Sequence, residues 1–218
     1  MGAGVSVDAA YLNVGRNVGT FGNLVVDGGM VTLEGHNLFP GTSVGGFLNV
    51  GYSGTGYAFF SNGATVELDA GGQTFTGFNI GRNAGSLGHV VVEGPGTTVT
   101  IDGSSLVSEV PAEKGLMAIG RAGTGRLDIR DQGVVMNDPN GETRIGQSRD
   151  GIGGRGSVTV NGAGSVLDAG AVLELGDKFG NGGLGRLSVE DGGTVLADVL
   201  NIHTGGILTG DAGSIGDV

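Results

Sequence analysis

The chain has 218 residues, 50 of them glycine, with four prolines and neither cysteine nor tryptophan; 22 acidic against 11 basic side chains give a formal net charge of −11. That balance repels nucleic acid and anionic membrane and argues against both as partners. The lack of cysteine excludes disulfides, thiol catalysis and cysteine-based zinc sites. No apolar run is long enough to insert in a bilayer, and the opening residues have neither the basic nor the apolar region of a signal peptide.

A repeat runs along the chain. Leu12-Asn13-Val14-Gly15 returns as Leu48-Asn49-Val50-Gly51 and Phe78-Asn79-Ile80-Gly81, and then as Met117-Ala118-Ile119-Gly120. Thr143-Arg144-Ile145-Gly146, Leu173-Glu174-Leu175-Gly176 and the truncated Leu200-Asn201-Ile202-His203 complete the series. The anchors Gly15, Gly51, Gly81, Gly120, Gly146, Gly176 and His203 mark units of 26–30 residues, with insertions at Gly35 to Phe47 and Gly103 to Gly115. The second insertion, with Glu109, Pro111, Glu113 and Lys114, reads as a projecting loop or short helix. Residues 1–218 therefore read as one repeat domain.

Within each unit the same grammar follows the anchor. A glycine-rich turn leads to an alternating apolar segment, such as Gly22 to Val26, Gly88 to Val92 or Gly125 to Ile129. A second turn, Asp27-Gly28-Gly29 or Asp191-Gly192-Gly193, leads to a third segment carrying Val31 and Leu33, or Val195 and Ala197. Short alternating runs, β-branched residues and glycine punctuation predict three strands per unit and almost no helix. The expected fold is all-β: a parallel β-helix, or solenoid, of six to seven three-stranded coils. Its inward columns are Leu12/Leu48/Phe78, Val14/Val50/Ile80, Leu24/Ala58/Val90/Leu127/Val158/Leu187 and Val31/Val66/Val99/Val135/Val166/Val195. One coil alone cannot offset its ordering entropy, so stacking on neighbours has to supply the stability.

Leu-Asn-Val-Gly-Arg-x-x-Gly-x-x-Gly-x-Leu-x-Val-x-Gly-Gly-x-Val, running from Leu12 to Val31, resembles repeats of bacterial autotransporter (type V secretion) passengers and PEP-CTERM-associated surface proteins. The closing Ile207-Leu208-Thr209-Gly210-Asp211-Ala212-Gly213-Ser214-Ile215-Gly216 is similar to the passenger stretch before a membrane anchor. The resemblance implies a right-handed β-helix, an extracellular or cell-surface location, and a stalk that presents loops or a neighbouring domain. It carries no shared catalytic motif. The chain reads as a segment of a longer protein, because neither end has the polar cap that stops solenoids from stacking end to end.

Chemistry is sparse. A β-helix lyase or glycosidase needs two acids, or an acid with Lys or Arg, on adjacent coils. The expected outward columns hold Asp128 alone on the second strand and Glu67 alone on the third; Arg144 and Glu174 on the first read as a solvated ion pair. Leu167 is placed outward on the third strand. Asn13, Asn49 and Asn79 also point outward, so no amide ladder is expected. Gly41-Thr42-Ser43-Val44-Gly45 matches a nucleophile elbow only by composition. His36, His89 and His203 lack metal-ligand spacing, and no cofactor is implied. One stripe carries a binding reading: Arg16, Tyr52, Arg82 and Arg121 each follow an anchor glycine, and in register they would grip a glycan by stacking and bidentate bonds. The expectation is a non-enzymatic extracellular structural or adhesion module. A carbohydrate-active enzyme and a self-assembling fibre subunit are the alternatives.

Overall fold

The computed structural model describes residues 6–39, 42–71, 76–103 and 115–211. Three seven-stranded parallel sheets stack as a β-solenoid, each coil giving one strand to each sheet. The anchor sheet holds Tyr11–Val14, Phe47–Val50, Gly77–Ile80, Leu116–Ile119, Glu142–Ile145, Val172–Leu175 and Val199–Ile202. The long sheet holds Phe21–Asp27, Thr55–Ser61, Leu87–Glu93, Thr124–Arg130, Arg155–Asn161, Leu184–Glu190 and Gly206–Gly210. The closing sheet holds Ser6–Asp8, Met30–Glu34, Thr65–Asp69, Thr98–Asp102, Val134–Met136, Val166–Asp168 and Thr194–Leu196. The described residues contain no helix, and so none long and apolar enough to cross a membrane.

Register is set by the repeat. Leu48 pairs with Leu12 and Phe78, and Val90 with Ala58 and Leu127. Alternation sends every second side chain into one continuous core, where Phe60, Phe78, Ile80, Leu127 and Ile145 are fully buried. The inner column of the closing sheet departs from expectation. Val135 pairs with Leu167, which pairs with Val195; Val166 pairs with Val134 and is only half-buried. Five positions separate Arg130 from Val135, but six separate Asn161 from Leu167, and Arg130 and Asn161 are partners. The corner around Gly162 and Gly164 (φ +90° and +85°) takes up the extra residue, and a one-residue shift exchanges inside for outside.

The corner between the anchor and long sheets explains the paired glycines. Gly51 has φ +71°, and a Cβ there would lie 2.2 Å from the Leu87 carbonyl oxygen; a Cβ on Gly88 would lie 2.2 Å from that of Val50. Backbone meets backbone at this corner, with no room for a side chain. The first insertion carries an antiparallel hairpin, His36–Phe39 with Thr42–Val44. The loop or helix expected in the second falls on residues 104–114, outside the described residues, as does Gly41 of the elbow-like motif. A second hairpin, Ser148–Arg149 with Ile152–Gly153, was not legible beforehand.

Candidate functional site

The anchor glycines stack through their backbones: Gly81 N–H donates to the Val50 carbonyl at 2.9 Å and Gly120 N–H to that of Ile80 at 2.7 Å. The next residues inherit that alignment. Arg82 N–H donates to the Gly51 carbonyl at 3.0 Å and Arg121 N–H to the Gly81 carbonyl at 3.1 Å. Tyr52, Arg82 and Arg121 thus occupy one step of three successive coils. The Arg82 guanidinium carbon stands 4.7 Å from the centroid of the Tyr52 ring, within cation–π range. Arg16 is exposed at the first coil, and no described contact joins it to the other three.

Two more arginines act on the stripe through their charge. Arg144 arrives by alternation on the next anchor strand, and Arg149 on the hairpin that follows Gln147. Burial, and then the charges of Arg149, Arg82 and Arg144, lower the Arg121 guanidinium to about 10, with a small opposing contribution from Asp150. The Tyr11 phenol is pushed up by burial, which outweighs the opposing charge of Arg82, and Tyr52 adds to the rise. Tyr11 also stacks on Phe47 with ring centroids 5.2 Å apart.

Beneath this stripe the outward face of the anchor sheet is buried, contrary to the solvent-facing reading. Asn49 and Asn79 are each 1% exposed. Asn79 Nδ2 donates to Asn49 Oδ1, and Asn49 Nδ2 to Asn13 Oδ1, both at 3.0 Å. An amide ladder therefore forms although these side chains do point outward, because burial leaves each of them only its neighbour as partner. The ladder ends where Ala118 replaces asparagine, and Asn79 Oδ1 is left without a donor.

Further along the same face, Arg144 and Glu174 are register partners but not an ion pair. Arg144 binds Glu142, two residues earlier on its own strand. Lys178 Nζ donates to Glu142 Oε1 at 2.6 Å and to Glu174 Oε1 at 3.4 Å, and His203 Nε2 is hydrogen-bonded to Glu174 Oε2. The carboxylates of Glu142 and Glu174 are largely buried, so this is an enclosed network instead of a solvated pair. Burial alone would raise the Glu142 carboxyl, but Arg144 and Lys178 together outweigh it and hold the group below its ordinary value. An acid held ionised in this way has no proton to give a leaving group.

On the long sheet, His89 lies 2.8 Å from Asp128, which also accepts from Arg126, and edges against Tyr57 with centroids 5.0 Å apart. Among the described residues no group of three His, Asp or Glu side chains is placed to hold a metal. Glu142 and Arg144 share a face in the sequence, with Thr143 between them, so that pair was legible; Arg149 was not, because a hairpin delivers it. Comparison of the chain with protein-family models, curated proteins and solved structures finds no match.

Proposed function

We propose that this chain is a non-enzymatic extracellular structural and adhesion module: a stiff solenoid segment that holds a binding face, and neighbouring domains of a longer chain, away from the cell. The single observation that carries the reading is the alignment of Tyr52, Arg82 and Arg121 on successive coils, with Arg82 stacked on Tyr52. A ladder of stacking and fork-shaped donors on a rigid frame suits a glycan or another cell-surface ligand. The repeat's resemblance to autotransporter passengers supports export.

The competing reading, a carbohydrate-active enzyme, draws on Glu142 and Glu174 lying on neighbouring coils with Lys178 between them. Glu142 could serve there only as a base or nucleophile, and the enclosure of both carboxylates by Arg144, Lys178 and His203 weighs against a substrate reaching them. Both are tested with the folded chain on beads. Adherence to polysaccharide-coated surfaces, without new reducing ends in solution, is the expected result; turnover without adherence would replace the adhesion reading with the enzyme.

A further inference from the structure

At the end of each long strand opposite the Tyr52 stripe, the outer face of the sheet turns into the corner before the closing sheet. There Val25 and Phe59 are register partners and form the floor of an open cleft of about 350 Å³. Val25 is 57% exposed and Phe59 half-buried. A lone exposed valine is ordinary, but one that shares the floor of a cleft with a phenyl ring makes a seat for an apolar group. The rim is acidic, from Asp27, Glu93 and Asp131. Arg130 already holds Glu93 at 2.6 Å. Asp27 accepts from neutral donors, Ser61 Oγ at 2.9 Å and Asn62 Nδ2. Asp131 is exposed, and neither it nor Asp27 joins an ion pair among the described residues. Asp27 ends the long strand of the first coil and Asp131 follows that of the fourth, so three coil steps, roughly 14 Å, separate them. Phe59 lies on a coil between the two.

We propose that this cleft binds an extended basic segment of a partner protein, with one bulky apolar side chain seated on Val25 and Phe59 and a cation on either side of it meeting Asp27 and Asp131. Charge complementarity selects a cationic partner: two acids without an ion pair flank the apolar floor of a chain whose formal net charge is −11. Spacing selects a peptide. An extended chain advances about 3.3 Å per residue, so side chains four positions apart stand roughly 13 Å apart, with the side chain midway between them on the same face. A simple amine reaches one acid only, and a neutral glycan has no cation for either. The cleft lies at a different corner from the Tyr52 stripe and holds whether or not that stripe takes a glycan.

The peptide acetyl-Lys-Ser-Leu-Ser-Lys-amide has this spacing and is titrated calorimetrically against the folded chain at physiological salt. Beside it run two versions, one with Ser in place of Leu and one with Glu in place of both Lys. The Ser version should bind at least tenfold more weakly, having nothing to bury, and the Glu version should not bind. Asp131→Asn, whose amide suits the φ of +52° at that position, should weaken the Leu peptide about two- to fivefold. Asp191→Asn removes the same charge from the same corner two coils further on, also at φ +52°, and should leave binding unchanged. Circular dichroism confirms that both variants are folded. Equal binding of the Leu and Ser peptides, binding of the Glu peptide, no binding at all, or equal weakening by the two substitutions would overturn the proposal.

Discussion

Asn79 donates its side-chain amide to Asn49 Oδ1 at 3.0 Å in a place where both residues are 1% exposed. Neither can exchange this bond for water, so its loss leaves a buried acceptor without a donor. Asn79→Ala should cost about 1–3 kcal/mol. Asn13→Ala, at the half-buried end of the ladder, should cost less because the truncation lets water in to the Asn49 Nδ2 that loses its acceptor. Urea unfolding midpoints of the two variants check the order.

The shifted corner near Gly162 makes neighbouring residues unequal. Leu167 is fully buried in the core, whereas Val166 is half-buried on the outer side. Leu167→Ala should lose about 2–5 kcal/mol, and Val166→Ala about 1 kcal/mol or less. Equal losses in urea denaturation would contradict the register.

Acid should unfold the chain through its paired carboxylates. Glu142, Asp128 and Asp177 are all held below their ordinary values; in each, burial pushes upward and hydrogen bonds outweigh it. A depressed folded value means the unfolded chain takes up the proton first on acidification. The stabilisation is therefore complete above about pH 5 and is lost as the pH falls through the folded values. Glu142→Gln should lower stability at pH 7 by about 1–3 kcal/mol and flatten the acid limb. Denaturation free energies measured from pH 7 to pH 3 give both quantities.

The charge of Arg121 works against the fold that carries it. Burial first, and then Arg149, Arg82 and Arg144, lower Arg121 to about 10, so its charged form is disfavoured in the folded state at neutral pH. That penalty is present below pH 10 and relieved as the pH rises through it. Arg121→Gln should thus stabilise the free protein at pH 7 by up to about 1 kcal/mol after solvent screening, or roughly 2–4 °C in Tm for a domain of this size. A lower Tm in the variant would mean that packing of the Arg121 stem outweighs charge repulsion.

The sequence by itself determined the repeat, its three strands per coil, the all-β character of the described residues and nearly every inward column. Those features follow from period-two alternation and from glycines placed where backbone meets backbone, as at Gly51 and Gly88. Only the tertiary structure decided which residues meet across coils. A single added residue in the corner after Asn161 brought Leu167 inside in place of Val166, because register is set by hydrogen bonding to the coil next door. Alternation tells which way Asn49 and Asn79 point but not whether that face is covered, so the amide ladder stayed hidden. Nor does it choose among long charged side chains: Arg144 turned to Glu142 on its own strand, leaving Glu174 to Lys178 and His203, and a short hairpin carried Arg149 to where its charge acts on Arg121. Stripe and amide ladder alike depend on contacts between residues about thirty positions apart, and only the stacking of coils sets those distances.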